Sequence, residues 1–201
     1  MRRPGRITAV VLAVAVASAC SHTDGRELAD PDPDLTATTA APAAAGGASP
    51  GSQEDTVPPT SAGAGGLTVA SPAFEPGGPM PARFTCMGGD ASPPLTWSAV
   101  PDDAVELAIV VRSPSAGEVP YWLVTGIDPT TSGLDEGQQP AAVVPWTGPC
   151  PTSGTRHQYV FSLYALRQPF EPPSGSSATE VAAQLAAAEP RPATVTATFT
   201  R

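Results

Sequence analysis

The residues best equipped for chemistry sit together in Gly148–Phe161, which reads GPCPTSGTRHQYVF. A turn-forming run (Gly148, Pro149, Pro151, Ser153, Gly154) feeds directly into a strand. Alternation along that strand puts His157, Tyr159 and Phe161 on one face, with Val160 and Ser162 on the other. His157 is the one histidine of the folded part, and its imidazole and the Tyr159 phenol are the groups there that could bind or move a proton. By residue type alone, His157 reads as a hydrogen-bonded strand residue. Its place at the mouth of a strand, behind a stiff Pro/Gly loop, also suits the floor of a small binding pocket. Ser153 reads as a turn former rather than a nucleophile, because no Gly-x-Ser-x-Gly signature surrounds it.

The elements that must position these groups are mostly strands. Apolar/polar alternation and β-branched residues mark LTVASPAF, LTWSAV, VELAIVV, YWLVTGI, QYVFSLYAL and TVTATFT, with Pro/Gly/Asp turns between them. VELAIVV is nearly all apolar, as a central strand buried on both faces should be. One helix is expected: Ser177 and Glu180 make a capping box, VAAQLAAAE follows, and Pro190 stops it. The reading is a single, mainly β domain over 67–201, a sandwich or barrel-like arrangement with a late helix.

The chain opens with three arginines and an apolar run of roughly a dozen residues, too short for a membrane span of about 20 and typical of a secretory signal over 1–19. Ala17-Ser18-Ala19-Cys20 resembles the lipobox of bacterial lipoproteins, in which Cys20 would become the lipidated first residue. Residues 20–66 are rich in Ala, Pro, Gly, Ser and Thr and carry no aromatic side chain. Such a stretch cannot offset its chain entropy, so it reads as a disordered tether whose ends lie on the order of 40 Å apart. Cys86 and Cys150 remain after Cys20, and in an exported chain a disulfide between them is the simplest reading. Two cysteines and one histidine fall short of a structural zinc set.

All ten basic residues are arginines, against nineteen acidic residues. Removing Arg2, Arg3 and Arg6 with the signal leaves a net charge of about −12, which argues against nucleic acid or an anionic membrane surface as an electrostatic partner.

Ser71–Pro101 (SPAFEPGGPMPARFTCMGGDASPPLTWSAVP) resembles the opening of the phosphatidylethanolamine-binding protein family, in its bacterial Raf-kinase-inhibitor-like branch. The resemblance continues through LAIVV, Tyr121-Trp122-Leu123-Val124, the Gly133-Leu134…Glu136-Gly137 turn and GPCPTSGTRHQYVFSLYAL, and so covers essentially all of 67–201. It implies an antiparallel β-sandwich with a small anion-binding pocket at one end. In the family that pocket uses an Asp-Pro-Asp loop, a histidine just before a strand, and a later His-x-Tyr. Only the last survives, as His157-Gln158-Tyr159. The carboxylates are replaced by Ser113 and Ser115 and the earlier histidine by Tyr121, so the hydroxyls could orient an imidazole only as neutral partners. Arg112 beside them either faces the pocket, where it could fork onto a phosphate or carboxylate, or faces solvent.

The function expected is a non-enzymatic, lipid-anchored exported binding domain for a small polar or anionic ligand held by Ser113, Ser115, Tyr121, His157 and Tyr159. The alternative is an envelope protein-interaction or inhibitor module with a vestigial pocket. A hydrolase would need a nucleophile, base and orienting group, and one histidine without an aligned carboxylate supplies them poorly. No cofactor is expected.

Overall fold

A computed structural model describes residues 57–140 and 142–201. The signal peptide and lipidated Cys20 expected from the sequence, and most of the expected tether, lie outside the described residues.

The strands are β1 (Thr60–Ser61), β2 (Thr68–Ala70), β3 (Leu95–Ser98), β4 (Glu106–Ser113), β5 (Gly117–Ile127), β6 (Gly133–Leu134), β7 (Ala142–Val144), β8 (Arg156–Leu166) and β9 (Ala193–Thr200), with helix α1 (Ala178–Ala188) between the last two. A six-stranded sheet runs β1-β9-β8-β4-β5-β7 and a three-stranded sheet runs β2-β3-β6. All strand pairs are antiparallel, as expected.

The apolar run of β4 makes it the middle of the large sheet, buried on both faces. Leu107, Ile109 and Val111 point toward the small sheet. There they join Val69, Leu95, Trp97, Phe161 and Val195 in the main core. Ala108 and Val110 point the other way, into a second core that Val181, Ala182 and Leu185 of α1 complete. The helix starts where expected: Ser177 Oγ accepts from Glu180 N while the Glu180 carboxylate accepts from Ser177 N at 2.7 Å. Such reciprocal capping pairs two otherwise orphaned backbone donors.

The folded body reaches further back than Leu67, into the stretch expected to be tether. The Gln158 side-chain amide holds Val57 by both its backbone groups, at 3.0 and 2.8 Å. The Pro59 carbonyl accepts from Thr196 N and Thr196 Oγ1, β1 pairs with β9, and Ala64 is buried. These are mainly backbone interactions, which do not need the apolar side chains whose scarcity marked the segment as unstructured.

Cys86 and Cys150 form the expected disulfide, with Cα atoms 5.4 Å apart. It ties the loop after a 3-10 turn (Ala82–Phe84) to the loop that enters β8.

Candidate functional site

The register of β8 fixes which way its polar groups point. His157 pairs with Phe199, Tyr159 with Ala197 and Phe161 with Val195, all facing the main core. Opposite the small Ala197 the Tyr159 ring lies fully buried. The Tyr121 ring stands edge-on to it, with centroids 5.3 Å apart and planes at 86°. The His157 ring is also a neighbour of Tyr159, with centroids 6.3 Å apart.

A strand irregularity brings Tyr121 to this place. Between the pairs Val111↔Trp122 and Ser113↔Gly117, β4 advances two residues while β5 advances five. The extra residues bulge, so Tyr121 and its neighbour Trp122 both pack on the main core, which a regular pleat forbids.

Ser113 is fully buried and lies one step beyond the pair Arg112↔Val160, which sets it beside Tyr159 on the same face. Its hydroxyl is 3.2 Å from that of Ser115, which sits exposed on the following turn. Ser113, Tyr121, His157 and Tyr159 thus share one face of the large sheet at one end, with Ser115 at the rim. Arg112 turns to the opposite face with Val160, its guanidinium 3.5 Å from Glu118. It therefore cannot serve the His157 side, and its side chain is only one-third exposed, at 32%.

Two residues of this cluster were not singled out by the sequence. Trp122 and Trp146 meet edge-on at 5.8 Å, and Trp146 stacks on Phe161 at 6.0 Å. Trp122 Nε1, Trp146 Nε1, His157 Nδ1 and Tyr159 Oη are buried, and none has a hydrogen-bond partner among the described residues. Trp97 shows the ordinary alternative: its Nε1 donates to the Thr131 carbonyl at 2.6 Å. Read from sequence, a tryptophan in an apolar stretch is core, and the unmet demand of its N–H is invisible there.

The loop before β8 is held against this cluster. Thr147 N donates to the Tyr121 carbonyl at 2.9 Å, and Trp146 N to Gln139 Oε1 at 2.8 Å. Gly148 N donates to the Asp90 carboxylate. A Cβ at Gly148 would meet the backbone carbonyl carbon of Thr85 at 2.8 Å, so the close approach requires glycine. Burial pushes the Tyr159 hydroxyl above the usual phenol range, and the neighbouring Tyr121 hydroxyl adds to that shift. The phenol stays neutral and keeps its proton to donate. The site is therefore aromatic-walled and supplied mainly with neutral donors, a set suited to a group that accepts hydrogen bonds.

Comparison with known proteins identifies the family. The family described as Phosphatidylethanolamine-binding protein matches residues 70–200. The protein named "Putative lipoprotein LppC" of Mycobacterium tuberculosis is 41% identical over 145 residues, which cover 66% of this chain and 72% of that one. A UPF0098 protein of Methanothermobacter thermautotrophicus is 34% identical over 131 residues, 57% of this chain and 86% of that one. Among solved structures, Escherichia coli YbcL is 25% identical with a TM-score of 0.60, covering 67% of this chain and 98% of its own. A phosphatidylethanolamine-binding protein homologue of Chlamydia trachomatis is 29% identical with a TM-score of 0.55, covering 67% and 96%. With its sandwich, its His-x-Tyr strand and a match spanning nearly the whole described body, the chain belongs to the phosphatidylethanolamine-binding protein family.

Proposed function

We propose that this protein is a non-enzymatic, lipid-anchored, exported domain that binds a small polar or anionic ligand beside His157 and Tyr159. One observation carries the reading. Tyr159 Oη and His157 Nδ1, on neighbouring rings, are buried without a partner among the described residues, and Trp122 and Trp146 of the same core each bury an unpaired indole N–H. Leaving a buried polar atom unpaired costs about 1–3 kcal/mol, so the adjacent His157 and Tyr159 atoms call for an outside partner. Indole N–H groups only donate and the phenol keeps its proton, so the partner must offer acceptor oxygens, as a phosphate or carboxylate does. Serines at 113 and 115, in place of carboxylates, lift a charge repulsion that an anion would otherwise meet.

Binding rather than catalysis is the better reading of the imidazole. Its neighbours are aromatic rings, and the buried Ser113 hydroxyl contacts Ser115. The anchor rests on the Ala17-Ser18-Ala19-Cys20 sequence and on the name carried by the mycobacterial relative. Export places the domain where its disulfide persists.

Thermal shift of the full chain with inorganic phosphate and with O-phosphoethanolamine tests the pocket. The wild type should be stabilised, and the double variant His157→Ala, Tyr121→Phe should lose the ligand-dependent shift while still melting cooperatively without ligand. Absence of any shift in the wild type with every phosphate-bearing compound would remove the support for a pocket.

A second reading, a protein-interaction module at the envelope, is favoured by Met87 and Val119. These large apolar side chains are 60% and 68% exposed on the segments leading into Tyr121 and away from Cys86. A stable partner recovered from envelope extracts equally well by wild type and His157→Ala, but lost with Met87→Ser and Val119→Ser, would favour it.

A further inference from the structure

The second face of the large sheet is covered at one end by α1, over Ala108, Val110 and Tyr164. At the other end the lead-in crosses it, where Val57 is held by Gln158. Near the lead-in lies a cavity of about 380 Å³, lined by Val57, Arg112, Pro114, Glu118, Val160 and Ser162 among others. It is on the face opposite His157, because Arg112 and Val160 pair and point away from the main core.

Among the described residues, Arg112 is the one arginine that does not stand exposed. Arg83 and Arg167 meet carboxylates at 3.1 and 2.5 Å. The Arg112 side chain is half-buried, yet its nearest carboxylate is Glu118 at 3.5 Å, through one nitrogen, on a side chain 79% exposed. Such a solvated contact contributes little and leaves most of the fork free. The same charge reaches inward: burial raises the Tyr164 phenol, and Arg112 works against that shift. Ser162, a buried residue on the same face, adds a hydroxyl to the cavity wall.

We propose that this groove is a second binding site, for a small oxyanion group (a carboxylate or a phosphate) taken by the Arg112 fork with help from Ser162. Glu118 competes for the same guanidinium, so it sets how tightly the anion is held.

The test is an NMR titration of the 15N-labelled full chain with inorganic phosphate and, separately, acetate. Saturable shifts are expected at the amides of Gly117, Glu118, Val160 and Ser162 with at least one of the two; which one responds assigns a tetrahedral or a planar oxyanion. Arg112→Gln should weaken that response about tenfold or more, the usual effect of losing a charge-assisted pair. Glu118→Gln should strengthen it several-fold, a gain that a purely structural Arg112 would not give. His157→Ala should leave it unchanged, which separates this site from the one across the sheet. No saturable shift in the groove with either anion, equal affinity in Arg112→Gln, or unchanged affinity in Glu118→Gln would overturn the proposal.

Discussion

At the scale of single residues, Tyr159 shows how a buried polar group can cost stability and still belong. Its hydroxyl has no partner within hydrogen-bond distance among the described residues, and the group that bears on it is the neighbouring Tyr121 hydroxyl. Its folded pKa is raised by burial first and by Tyr121 second. A phenol raised on folding contributes stability that is present below its unfolded value of about 10 and lost as pH rises through the folded value. Tyr164 is raised too, again by burial, though Arg112 opposes it. Ultraviolet titration should therefore show fewer phenolates than three tyrosines until the alkaline unfolding transition. Tyr159→Phe should leave stability at pH 7 unchanged or raise it by about 1–3 kcal/mol, and should flatten the decline above pH 10. A loss above about 2 kcal/mol at pH 7 would show that the hydroxyl is satisfied after all. Much of this cluster was legible: the period of two along β8 put His157 and Tyr159 on one face. The role of Trp122 and Trp146 was not, because an unmet hydrogen bond is a property of surroundings rather than of residue type.

At the scale of elements, the loop from Trp146 to Cys150 is fixed by contacts that tolerate little change. Gly148→Ala would push a Cβ to 2.8 Å from the Thr85 backbone, where no flexible side chain can yield. We expect a loss of about 1–3 kcal/mol in urea unfolding, as for other overpacked sites. A change within about 0.5 kcal/mol would mean that the loop moves freely. The Cys86–Cys150 bridge closes a separation of 64 residues, so Cys86→Ser with Cys150→Ser should cost about 4 kcal/mol. The two losses should not add, since both act on one loop pair. Elements with strong local signals were readable in advance, notably α1 with its capping box and β4 with its continuous apolar run. The bulge in β5 had a marker in Pro120, which cannot donate to a ladder, but the sequence does not say how far the register slips there. That slip brings Tyr121 to Tyr159, so the part of the site that depends on it could be expected only from the family resemblance.

At the scale of the whole molecule, one sheet separates two chemically different faces, and its N-terminal lead-in belongs to both. Val57 lines the Arg112 groove, while Pro59, β1 and Ala64 close the edge of the sheet at β9. Composition read this stretch as tether because little in it is apolar, yet the sheet needs its backbone. Thr196 is fully buried, and its N–H and hydroxyl both donate to the Pro59 carbonyl. Remove the lead-in and those donors must find water, Gln158 loses both bonds to Val57, and β9 gains an open edge that can pair with another chain. A chain starting at Leu67 should therefore be about 2–4 kcal/mol less stable than one starting at Val57, counting roughly 1 kcal/mol per net hydrogen bond against the entropy of ordering the segment. Amide exchange should quicken first at Thr196 and Gln158, while Ile109 in the middle of β4 changes only with global stability. Equal unfolding midpoints for the two chains would return the lead-in to the tether and leave the Arg112 groove with one wall fewer than its geometry requires.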